Sequence, residues 1–223
     1  MPTALVTGAS RGIGLELASR LHAGGWRVLA TARAPGRPDG LRDIAEVIRL
    51  DVADDASVAD LGRQLGGVSL DLLVNNAGVS SPGKRLADLD GPELARVFRV
   101  NAIAPLLVTR AALPALRAGG RKQIVNISSQ LGSIAGNTGG SSYAYRGSKA
   151  ALNMLTVCMA HELRPEGFTA VTMHPGWVRT DMGGPEAPLT PAQSARSMLE
   201  VLERLTPSDT GRFLNYDGSP LPW

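Results

Sequence analysis

Six short runs dominated by Val, Leu and Ile recur along the chain, separated by longer stretches of helical periodicity. They read TALV, RVLATA, EVIRL, LDLLV, QIVNI and TAVTMH. Strands that are apolar on both faces need cover on both faces, so the pattern specifies a parallel sheet between two helical layers. Between the first two runs, Ile13, Leu17 and Leu21 return every four residues while Glu16 and Arg20 point elsewhere, as an amphipathic crossover helix requires. The expected fold class is α/β, with a doubly wound parallel sheet. Gly and Pro break the pattern at APGRPDG, GSIAGNTGGSS and GGPEAPLTP. Ligands of such sheets sit at the carboxyl ends of the strands, which makes these loops the expected rim of a site.

With 223 residues and 43% apolar composition, the chain suffices for one well-filled core, and neither a linker nor an internal repeat divides it. A single domain is expected. The sole cysteine, Cys158, cannot form an intrachain disulfide, which suits a reducing compartment; its apolar helical surroundings suggest a buried packing role. No basic segment followed by a long apolar stretch opens the sequence, and no apolar run reaches the ~18 residues that span a bilayer. A cytoplasmic protein without membrane contact is expected. The net charge of +3 is small and scattered, which argues against a nucleic-acid face. His22, His161 and His174 form neither a metal-ligand cluster nor a nucleophile–base pattern, so no metal site and no Ser-His-Asp hydrolysis is expected.

Directly after the first strand comes TGASRGIG, with Gly8, Gly12 and Gly14 interleaved with Ser10, Arg11 and Ile13. A tight strand-to-helix turn needs unusual dihedrals, and a diphosphate approaches bare backbone at the helix's positive end. The Gly-Lys-Ser/Thr ending of an ATPase or GTPase loop is missing. This spacing resembles that of the short-chain dehydrogenase/reductase family, whose Rossmann fold carries TGxxxGxG and binds a nicotinamide dinucleotide. An NAD site places an acid near the end of the second strand, whereas here the residues are Thr31, Ala32 and Arg33. Arg33, aided by Arg11, offers a fork for a 2′-phosphate, so NADP(H) is the expected cofactor. Further resemblances place Asp51 and Val52 at the adenine, Asn76, Ala77 and Gly78 of NNAG beside the cofactor, and Pro175, Gly176, Val178 and Thr180 of HPGWVRTDM at the nicotinamide end.

In SSYAYRGSKAALN, Tyr145 lies one helical turn from Lys149, while the same step from Tyr143 reaches Gly147. The pair matches the family's YxxxK. A phenol with a pKa of about 10 exchanges protons reluctantly, and an ammonium ~4 Å away would contribute up to about 4 kcal/mol toward ionising it. Tyr145 is thus the expected general acid/base, with Lys149 also holding the nicotinamide ribose by the resemblance. The family's serine aligns with Ser129, with Ser128 as the alternative. Sixteen residues separate Ser129 from Tyr145, more than is usual, so the intervening loop must bulge. Asn101 of VFRVNAIAP matches the asparagine of the family's proton path.

The stretches GSIAGNTGGSSYAYRGSK, HPGWVRTDMGG and NYDGSPLPW resemble the branch holding C-factor signalling proteins and sniffer-type carbonyl reductases. The resemblance implies NADPH-dependent reduction of a small-molecule carbonyl to an alcohol, with residues 181–191 covering the substrate. It also implies a homodimer or tetramer, consistent with the apolar faces of the helix that continues through AALNMLTVCMAHEL. A regulatory protein that binds NADP(H) and acts through a protein partner is the alternative.

Overall fold

All six runs are strands in the computed structural model, which describes residues 1–33, 39–81 and 85–223. The chain begins with β1 (Thr3–Val6), α1 (Gly12–Ala23), β2 (Arg27–Ala32), β3 (Glu46–Arg49), α2 (Asp55–Gln64) and β4 (Leu72–Asn75). It continues with α3 (Gly91–Phe98), a π turn (Arg99–Ile103), α4 (Ala104–Ala118), β5 (Gln123–Ile127), α5 (Tyr143–Leu163), β6 (Thr169–His174), α6 (Pro191–Arg204) and β7 (Phe213–Asn215). Two expected breaks, 132–142 and 183–191, are irregular or turn segments, apart from the end of a short 3₁₀ turn and the first residue of α6. The third, 34–40, lies largely outside the described residues.

The sheet order is β3-β2-β1-β4-β5-β6-β7, and every pairing is parallel. Its short seventh strand was not foreseen. Three residues are too few for a periodic signal, and β7 is defined by its register on β6, Thr172↔Phe213 to His174↔Asn215. Alternation along β1 explains the two covering layers: Ala4 and Val6 join the core beneath α1 and α6, whereas Leu5 faces the core beneath α2, α4 and α5. The order reverses between β1 and β4, so a crevice opens at their carboxyl ends, where Gly8 and residues 76–78 emerge.

Two expectations about apolar stretches are corrected. Cys158 is exposed. It shares the outward face of α5 with Met154, which is 64% exposed, while Leu152, Thr156, Ala160 and Leu163 take the inward positions. The continuous helix Gly91–Ala118 is, by length and composition, apolar enough to cross a membrane, although no such run was foreseen. Half of its most apolar window is buried, with Val97, Val108, Ala112 and Leu116 serving the core, so its hydropathy has a packing explanation.

Between β4 and β5 the core holds a line of polar side chains. Asn75 Nδ2 donates to Thr109 Oγ1 (3.1 Å) and Asn126 Oδ1 (2.8 Å), and Asn126 Nδ2 donates to Thr156 Oγ1 (2.8 Å). This line pins α4 and α5 to the sheet at fixed heights, because a sliding helix would leave buried amides unpaired. Replacing Asn126 with Ala is expected to cost about 1–3 kcal/mol. Urea unfolding should show a lower midpoint at constant slope, and an unchanged midpoint would contradict the assignment.

Candidate active site

The glycine loop leaves β1 at Thr7, whose role the motif reading missed. Thr7 Oγ1 accepts hydrogen bonds from the N–H groups of Asn76 and Ala77, both at 3.0 Å. Asn76 Nδ2 reciprocates, donating to Thr7 O (2.9 Å) and Gly8 O (3.1 Å). The loop after β1 and the loop after β4 are therefore joined into one floor. Its sequence signal was present, since Thr7 opens the glycine motif. Asn76 spends its amide beneath the glycine loop, with Ala77 and Gly78 following it along the edge of the cleft. Gly14 is required by this packing: a Cβ there would sit 2.5 Å from both Asn76 Nδ2 and Gly8 O.

At the start of α1, Arg11 supplies no side-chain cap and the first turn holds no acid. The bare N–H groups and positive end of the helix thus face the crevice, with Gly8 and Gly12 at φ +65° and +58°. A dinucleotide diphosphate fits these residues. Ser10 is exposed on the same loop and Ile13 is half-buried. Arg33, just beyond β2, is exposed and accompanied by no acid on Thr31 or Ala32, which fits a 2′-phosphate. Arg11 does not point there within the protein: its Nη1 is 2.6 Å from Asp181 Oδ2. Asp51 uses its carboxylate to accept from Ala53 N (3.0 Å), closing a turn after β3, and Val52 packs half-buried against the core.

The segment after β6 closes the far side. Pro175 O accepts from Ser194 Oγ, Gly176 adopts φ +82°, and Val178 is buried and bridged to Leu189. Thr180 Oγ1 accepts from Gly183 N (3.1 Å), and its methyl lies 3.4 Å from where a Cβ on Gly12 would stand. Trp177 Nε1 donates to Gly183 O (2.7 Å), so residues 181–191 begin as a tied turn.

Tyr145, Lys149, Ser129 and Asn101 converge where β5 and α5 meet. Ser129 stands beside Tyr145, near enough to draw the phenol's pKa down. Both serines are buried; Ser128 donates to Asn153 Oδ1 at 2.6 Å, away from Tyr145. Lys149 is 6% exposed; its Nζ donates to Ile127 O (2.8 Å) and lies 5.8 Å from the centre of the Tyr145 ring. Asn101, in the π turn, accepts from Val79 N (2.9 Å) and donates to Val79 O (2.9 Å) and Ser148 Oγ (3.1 Å). Its side chain is committed to holding the segment after Gly78 against α5. A Cβ on Gly78 would lie 3.4 Å from Asn101 Oδ1 and 3.8 Å from Lys149 Nζ, so this glycine borders both.

The electrostatics differ from the expectation that the Lys149 ammonium draws the phenol down. Burial pushes Tyr145 above its usual value, and the neighbouring Ser129 only partly opposes this. Lys149 itself is lowered to about 8 by burial. The ammonium is turned toward Ile127 O, and desolvation outweighs its charge at this distance.

The family can now be stated. Residues 2–188 match the short chain dehydrogenase model, and the chain belongs to that family. It is 51% identical to C-signal of Myxococcus xanthus over 154 residues, 69% of this chain and 93% of that protein. Among solved structures it resembles the carbonyl reductase Sniffer of D. melanogaster, with TM-score 0.94 and 33% identity over the full length of both chains. The NADPH-bound carbonyl reductase from chicken fatty liver gives TM-score 0.92 and 37% identity, covering 100% of this chain and 99% of that one.

A lysine whose folded pKa is depressed binds fewer protons in the folded than in the unfolded state between about 8 and its usual value, so stability rises with pH across that window. Without added nucleotide, the protein is expected to gain up to roughly 3 kcal/mol from Lys149 as pH rises from 8 toward 10.5. Lys149→Met should remove this rise from the urea midpoint. Parallel profiles for the two proteins would contradict it.

Proposed function

We propose that the protein is an NADP(H)-dependent oxidoreductase that reduces a ketone or aldehyde to an alcohol. The carrying observation is the Ser129–Tyr145–Lys149 cluster set at the carboxyl edge of β5, beside the crevice floored by the glycine loop. The NADPH-bound chicken reductase, similar over this whole chain, supports the cofactor, as does the acid-free end of β2 with Arg33. Gly8, Gly12, Ile13 and the start of α1 would hold the diphosphate, Val178 and Thr180 the nicotinamide end, and Lys149 the ribose. When bound, the reduced nicotinamide supplies the hydride.

The chain's own groups handle the proton. Because burial holds Tyr145 above its ordinary pKa, the phenol keeps its proton at neutral pH and is loaded for reduction. It donates that proton to the substrate oxygen as negative charge develops there, and Ser129 stabilises the same oxygen. Lys149, charged below about 8, favours the phenolate that Tyr145 becomes and aids its reprotonation. Asn101 fixes the segment bordering this lysine.

Similarity to C-signal supports a second reading, a signalling protein that binds NADP(H) and acts through a partner. A buried lysine one helical turn from the half-buried Tyr145 favours the enzyme, since a binding module has no need of that desolvation cost. The reading extends to a cytoplasmic homo-oligomer. Ile103 and Met154, 44% and 64% exposed, support an interface on that side, and sedimentation of a strict monomer would refute it.

Tyr145→Phe is expected to lower kcat/KM for NADPH-dependent ketone reduction at least a hundredfold, with the NADPH Kd within about twofold of the parent. Undiminished turnover would refute the mechanism. In the parent protein, kcat/KM for reduction should fall as pH rises through about 8, where Lys149 loses its charge. A profile level to pH 9.5 would contradict that role.

A further inference from the structure

The loop 133–142 links the two reacting groups of the proposed mechanism, running from just beyond Ser129 to just before Tyr145. Its composition, SIAGNTGGSS, gives it little means of holding itself. Within the loop there are short-range bonds only: Gly136 N to Ser133 Oγ (2.9 Å), Asn137 N to Ile134 O (3.2 Å) and Gly139 N to Asn137 Oδ1 (3.3 Å). Its exit is strained, since Ser141 and Ser142 both adopt left-handed backbone at φ 69° and 52° immediately before α5. Such geometry persists only where surrounding structure imposes it.

Among the described residues, the loop's long-range hydrogen bonds end on one residue. Ala135 N donates to the main-chain oxygen of Trp223 at 2.8 Å, and Ser133 Oγ donates to the same oxygen at 3.3 Å. Trp223 is fixed in turn by β7. Its ring stacks on Phe213 with centroids 5.5 Å apart and planes at 25°, and Phe213 is 2% exposed. The preceding residues are also tied to that strand, through Leu221 N to Phe213 O (2.9 Å) and the Leu214↔Pro220 bridge. The edge of the sheet therefore reaches the loop between Ser129 and Tyr145 through one residue, whose indole lies on Phe213 and whose main-chain oxygen holds the loop.

We propose that Trp223 is a positioning residue that holds loop 133–142 as the substrate-side wall of the cleft. This rests on the carbonyl-reductase reading and adds what sets its substrate preference. Ile134, 79% exposed on that loop, offers an apolar surface to the body of the substrate. A carbonyl compound with a bulky apolar group needs the wall in place, whereas a small aldehyde engages the Tyr145 end alone. The long Ser129–Tyr145 spacing is accommodated because the extra length is anchored externally.

The test compares the full-length protein with Trp223→Ala and Trp223→Phe, using NADPH with an aromatic ketone and with a two- or three-carbon aldehyde. Trp223→Ala should raise KM for the ketone roughly tenfold while leaving kcat, the aldehyde KM and the NADPH Kd within about twofold; Trp223→Phe should restore most of the loss. Hydrogen exchange supplies a readout independent of turnover: residues 131–142 should lose protection in Trp223→Ala while β5 and α4 keep theirs. Unaltered exchange in the loop would overturn the proposal, as would equal losses for both substrates together with cofactor affinity. If the parent protein reduces neither compound, the carbonyl-reductase reading fails, and the exchange result still decides whether Trp223 anchors the loop.

Discussion

A buried ammonium bound to a strand carbonyl, Lys149 Nζ on Ile127 O, ties α5 to the sheet. Burying that charge is unfavourable, as the fall of its pKa to about 8 shows, so the rest of α5 must hold the helix in place. It does so by lateral hydrogen bonds that leave little freedom of height: Asn126 to Thr156, Ser128 to Asn153, and Asn153 to Gly132 O. Close contact reinforces them, since a Cβ on Gly132 would sit 2.8 Å from the backbone and Cβ of Lys149. The same bonds set Tyr145 against Ser129.

The crevice beside this cluster is built with similar economy. Thr7 and Asn76 exchange hydrogen bonds between the loops after β1 and β4, and Gly14 allows α1 to start directly above that junction. Reversal of strand order forces these two loops apart from their outer neighbours, which leaves a polar-floored opening at the positive end of α1. In the proposed reaction, hydride donor and proton donor approach one carbon–oxygen bond from separate elements, each held by the sheet.

Much of this was legible in the sequence because it depends on local spacing. Runs of β-branched and leucine residues marked six strands, and the four-residue step placed Tyr145, not Tyr143, one helical turn from Lys149. Features that depend on distant partners were not legible. Cys158 sits in apolar company along the chain yet faces outward, because the face a helix buries is decided by what packs on it. Asn76 belongs to a motif beside the cleft, but its amide turns beneath the glycine loop. Nor does spacing reveal where an ammonium points: Lys149 turns to Ile127, and burial rather than its charge dominates Tyr145. Strand β7 needed its partner strand to be recognised at all.

The central claim is that hydride passes from a nicotinamide to a substrate carbon while the protein supplies the proton. Reduction of a ketone with NADPH deuterated at C4 on the transferred face tests it most directly. The account requires deuterium on the carbinol carbon of the product, with the hydroxyl proton exchanging with water. Alcohol formed without that deuterium, or firm NADPH binding with no alcohol across a broad set of ketones and aldehydes, would contradict it.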